Sequence, residues 1–124
     1  MTQVTKIKEE LLAATPMLDV AAWAAHQRSA VPTLEELEAS NEIFSVKRGA
    51  SRLYPCFQFD AHYAPEPSMA DILAEVPSGA RGWPLLSWLQ ARNVTLAGCR
   101  PREMMVSDSA AVCRAAHRFY CIED

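Results

Sequence analysis

The chain has 124 residues, half of them apolar and 22% charged, with a formal net charge of −3. That length suits one domain with a modest core, and that composition excludes a disordered chain. No apolar run approaches the length of a membrane span, and neither half has an excess of Lys and Arg: six basic residues face eight acidic ones up to Asp60, and six face seven after it.

The first predicted element is a helix over Gln3 to Ala14, with Val4, Ile7, Leu11 and Leu12 at helical spacing, ended by Thr15-Pro16. Asp19 is placed to cap a second helix running to about Arg28, with Val20, Trp23 and Ala24 on one face. Thr33 and Glu36 form a capping-box pattern that opens a third helix with Leu34 and Leu37 inward. "IFSVKRGASRLY" then changes character and predicts a β-hairpin from Ile43 to Tyr54, turning at Gly49. Residues 60 to 67 are a Pro-containing connector. Beyond it Ser68 is expected to cap "MADILAEV" with Asp71 in the capping-box position and Ile72, Leu73 and Val76 inward. Pro84 opens "PLLSWLQAR", Pro101 lies near the start of a short helix, and Asp108 caps "SAAVCRAAHRFYCI". The sum is a mainly α protein: a small helical domain with an N-terminal helix and β-hairpin module, degenerate winged-helix-like. The expected division is residues 1–54 and 55–124.

Three helices followed by a hairpin raise DNA binding, with Lys47, Arg48 and Arg52 as the basic cluster of a wing. Against it, the third helix carries Glu35, Glu36 and Glu38, with Glu42 just beyond, and no cation; four carboxylates repel a polyanion. A metal reading rests on Cys113, His117 and Cys121, which share one helical stripe, with Cys99 as a candidate fourth ligand. Its plainer counterpart is small cysteines filling the core face of an Ala-rich helix. No catalytic motif is present. "DAHY" reads as a solvated loop pair, and Cys56 among aromatics reads as an inert thiol, so the expectation is a protein that is not an enzyme and needs no cofactor. Trp83 and Trp88, five residues apart, face different sides of their helix: one belongs to the core, and the other is either an interaction residue or a staple across the helix start. The N-terminal "MTQVTKIKEELLAA" has no secretory apolar region, which predicts a cytoplasmic protein with its four cysteines reduced.

The stretch "RLYPCFQFD", residues 52 to 60, concentrates three aromatics, a proline and a cysteine. It resembles the "LYPAFQFD" signature at the start of the toxin-binding domain of the Xre/MbcA/ParS antitoxin family. "MADILAEVP", "WPLLSWLQARNVTLAGCRPREMM" and "DSAAVCRAAHRF" are similar, in order and spacing, to the helices that follow in that family, so the resemblance spans about residues 43 to 121. Met104 and Met105 stand where the family has leucines, which conserves core volume. Cys99 and Arg102 depart from the family's pattern, and "RNVTL" replaces its usual Asn-Pro loop. The resemblance implies a protein that binds a RES-type, NAD-consuming toxin and occludes its active site, dimerises, and represses its own operon. The alternative is a small DNA-binding transcriptional regulator without a toxin partner. Surface logic places the toxin contact on the last helix and its tail, at Arg114, Arg118, Tyr120, Glu123 and Asp124. The aromatic stretch itself is expected to be structural. Tyr54, Phe57 and Phe59 would bury on both sides of a joint, at about 2 kcal/mol or more per fully buried ring.

Overall fold

The computed structural model describes residues 3–26 and 32–121. The protein is mainly helical with one small antiparallel hairpin. The helices are α1 (Gln3–Ala14), α2 (Val20–His26), α3 (Leu34–Ala39), α4 (Pro67–Leu73), α5 (Trp83–Gln90), α6 (Pro101–Met104) and α7 (Ser109–Tyr120). The strands β1 (Val46–Arg48) and β2 (Ser51–Leu53) lie between α3 and α4. The expected end of the second helix at Arg28 lies outside the described residues. No helix among the described residues is long and apolar enough to cross a membrane.

Local chemistry accounts for several boundaries. The capping box before α3 is formed: the Glu36 amide donates to Thr33 Oγ1 at 3.1 Å, and the Thr33 amide donates to Glu36 Oε1 at 3.2 Å. Asp108 caps α7 by accepting from the Ala111 amide at 3.2 Å. The cap expected at Ser68 does not form. Pro67 occupies the first turn of α4 and Glu66 the N-cap position, so Ser68 is already inside the helix and buried. A proline with helical φ and no amide to satisfy outcompetes a serine one position later.

The hairpin is shorter than expected. Val46 pairs with Leu53, Lys47 with Arg52 and Arg48 with Ser51. Gly49 takes φ 63° at the first position of the two-residue turn, where a side chain would be strained. Ile43 and Phe44 precede the strand instead of joining it, because another group engages their backbone. Gln58, wholly buried, accepts from the Phe44 amide at 2.9 Å and donates its own amide to the Phe44 carbonyl at 2.8 Å. One side chain thus satisfies both polar groups of a buried peptide and takes the place of a strand rung.

The aromatic stretch sits between two apolar clusters. Tyr54 and Phe59 are buried with Trp23, Leu34, Leu37 and Ile43. Phe57, half-buried, packs against the larger cluster built on Phe44, Ile72, Leu86, Leu89 and Val112. Neighbours in extended chain point to opposite sides, so Ile43 enters one cluster and Phe44 the other. The stretch is also stitched to the segment between α1 and α2: Leu18 donates to the Tyr54 carbonyl at 2.7 Å, and Cys56 to the Pro16 carbonyl at 2.9 Å. Residues on both sides of position 54 contribute to each cluster.

Candidate functional site

The hairpin cations are exposed, but two of the three have acidic partners. Arg48 pairs with Glu9 of α1 at 3.3 Å. Arg52 lies 3.4 Å from Glu38 and donates to Ser45 Oγ at 3.0 Å, while Ser45 Oγ donates to the same carboxylate at 2.8 Å. The acidic α3 is therefore held against the base of the hairpin and offsets the charge a phosphate would need. Trp83 belongs to this region. Its indole N–H donates to the Lys47 carbonyl at 2.9 Å, and the Lys8 ammonium lies 5.3 Å from the ring centroid. Trp83 thus fastens α5 to β1, the role of a staple.

The region where α5, the Val94–Leu96 turn and the end of α7 meet has a different character. A groove of about 500 Å³ is lined by Trp88, Ala91, Arg92, Val94, Phe119 and Tyr120, among others. Val94 is 94% exposed and Phe119 57%, and the groove brings these two apolar side chains together. Both are held by ordered contacts. Asn93 caps the Val94–Leu96 turn through the Thr95 amide at 2.9 Å. Phe119 stands edge-on to Tyr120, ring centroids 4.9 Å apart, and lies 6.1 Å from Trp88.

Of the residues expected to make the contact, Arg114 and Arg118 are exposed, one turn apart on α7. With Thr95, Ala111 and Ala115 they line a small recess of about 140 Å³. Neither forms a hydrogen bond or ion pair among the described residues. Tyr120 lies on a different face of α7. It is half-buried against Trp88, ring centroids 6.0 Å apart, and burial pushes its hydroxyl pKa up. Glu123 and Asp124 lie outside the described residues. Val94 and Phe119 were missed from the sequence. Phe119 falls near the helical stripe of Val112, Ala115 and Ala116, and only the end of the core beyond that stripe leaves it in solvent.

The remaining polar candidates resolve into local roles. Asp60 accepts from the His62 amide at 2.8 Å and the Ala64 amide at 3.0 Å. These backbone donors, Ala64 first, hold its carboxyl below the ordinary range. The carboxylate organises a turn and contacts the His62 backbone, the arrangement of an Asx turn. Burial pushes the Cys56 thiol up, which suits an unreactive side chain. The cysteine stripe of α7 divides. His117 and Cys121 come together with Glu75, a residue just past α4. Cys113 packs instead against the larger core, its thiol pKa raised by burial and by the charges of Asp71 and Glu75. Cys99 also packs against that core. No family model, no curated protein and no solved structure matches the chain.

Proposed function

We propose that this chain is a non-enzymatic binding protein of the antitoxin kind, which grips a RES-type, NAD-consuming toxin with its α5–α7 end and blocks the toxin's active site. The partner class comes from the resemblance of residues 43 to 121. The surface comes from one observation: exposed Val94 and Phe119 on an aromatic base of Trp88 and Tyr120, with exposed Arg114 and Arg118 nearby that have no partner among the described residues. Aromatic anchors in a groove, with arginine beside them, are the usual composition of interface hot spots. The arginines add electrostatic steering toward an acidic face of the partner. The tail residues Glu123 and Asp124 belong to the same proposal. Repression of its own operon as a homodimer is the second activity the resemblance implies. It has less support, because two of the three hairpin cations that would meet DNA, Arg48 and Arg52, are engaged by Glu9 and Glu38.

The test is rescue of growth on co-expression with a RES-type toxin. Truncation after Val112 would remove Ala115 and Ala116 from the core, so it mixes unfolding with lost contact. Surface substitution separates them. Phe119→Ala with Arg114→Glu and Arg118→Glu is expected to lose rescue while the protein stays folded by circular dichroism. Lys47→Glu with Arg48→Glu is expected to retain it. Equal rescue by both sets would remove the surface assignment.

A further inference from the structure

The group formed by Glu75, His117 and Cys121 lies away from Val94 and Phe119 of the proposed binding surface, and borders it only at Arg114 and Arg118. His117 and Phe119 are two positions apart, about 200° around α7, so the two features lie on opposite sides of that helix. One donor atom from each of the three residues falls within 4.8 Å of the others. His117 Nδ1 lies 2.7 Å from Glu75 Oε2, and Cys121 Sγ lies 3.8 Å from the Glu75 carbonyl oxygen. An ordinary surface ion pair accounts for the first contact alone. It does not account for the Cys121 thiol, whose sulfur also lies within 4.8 Å of both ligand atoms.

We propose that Glu75, His117 and Cys121 form a three-ligand site for zinc or a similar borderline-soft divalent cation, with a solvent molecule as fourth ligand. The donors are one oxygen, one nitrogen and one sulfur, a set that suits zinc and disfavours magnesium or calcium, which take oxygen ligands. The charges balance: one carboxylate, one thiolate and a neutral imidazole around a 2+ ion. Ligands at zinc distances of about 2.0–2.3 Å in a tetrahedron stand about 3.3–3.8 Å apart, so the Glu75–His117 contact needs to open by about half an ångström. Both side chains have the freedom to do so, being 31% and 64% exposed. Position is set by the fold. α4 packs on α7, and the Cys121 amide donates to the His117 carbonyl at 2.8 Å, which fixes the two α7 ligands one turn apart. The fourth position faces solvent, beside a recess of about 370 Å³ lined by Glu75, Cys113, Arg114, His117 and Arg118.

The test is titration of the reduced full chain with Zn²⁺ and, separately, Co²⁺. One equivalent is expected to bind, with a thiolate-to-cobalt charge-transfer band. Zn²⁺ is also expected to protect Cys121 from maleimide, read by peptide mass spectrometry. Glu75→Ala, His117→Ala and Cys121→Ser are each expected to lower affinity at least tenfold. Cys113→Ser and Cys99→Ser are expected to leave it within twofold. All three ligands lie at the surface, so circular dichroism should be unchanged in their variants. Absence of saturable binding at micromolar Zn²⁺, unchanged affinity in the ligand variants, or loss of the band in Cys113→Ser with retention in Cys121→Ser would each overturn the site. None of these readouts depends on a toxin partner.

Discussion

The hairpin side and the α7 side of this protein carry similar residue types to opposite effect. Around the hairpin, polar groups meet inside the chain: Gln58 with the Phe44 backbone, Arg52 with Glu38 and Ser45, Arg48 with Glu9, and the Trp83 indole with Lys47. Around α7, Arg114, Arg118, Val94 and Phe119 are displayed. A basic cluster read from sequence is thus a poor guide to a binding face until its carboxylate neighbours are placed. The contrast is between groups that pair within the chain and groups that are displayed.

The sharpest way to break that contrast is Gln58→Ala. It leaves an amide and a carbonyl of Phe44 buried and unpaired, at about 1–3 kcal/mol each, so a loss of about 2–6 kcal/mol is expected in urea denaturation. A loss below about 1 kcal/mol would show that the hairpin side is not held by this clamp. Next is Phe119→Ala, expected to weaken partner binding by about 2 kcal/mol, roughly thirtyfold, while changing stability by less than about 0.5 kcal/mol. Isothermal titration and denaturation together read both numbers. The reverse pattern would move Phe119 to the structural side. Arg52→Ala comes third, at about 0.5–1 kcal/mol of stability, since its pair with Glu38 is partly exposed and open to screening. Arg48→Ala is expected to cost less than about 0.5 kcal/mol, both partners being more than half exposed. Asp60 gives the smallest effect and the one with a pH signature. Its folded pKa is depressed, so its contribution is present above the ordinary carboxylate range and lost as pH falls through the folded value. Asp60→Asn should therefore narrow the stability difference between neutral and acid pH.

Much of the helical scaffold was legible because its signals are local. Thr33 and Glu36, or Asp108 and Ala111, lie three residues apart and need nothing from the rest of the chain. The spacing of Ile72, Leu73 and Val76 identifies an inward face, and all three are buried. The burial of the aromatic stretch was also readable, since three rings in six residues have few other places to go. Gln58 was not, because its partner is 14 residues away and a lone glutamine among aromatics carries no pattern. Ser68 misleads because two helix-start signals sit side by side and Pro67 prevails. Of the candidate binding face, the two arginines followed from exposure on a helix. Val94 and Phe119 did not, since their exposure depends on where the core ends. Glu75 was equally hidden: the Cys121 thiol that approaches it is 46 positions away.

The alternation of Ile43 and Phe44 has a consequence for how the molecule comes apart. A single strip of backbone, clamped by Gln58, forms a wall common to both apolar clusters. Neither cluster can open without dragging the strip and exposing the other. Melting should therefore be one cooperative event, with fluorescence from Trp23 of the smaller cluster, read in a Trp83→Phe, Trp88→Phe variant, and helical dichroism falling along the same curve.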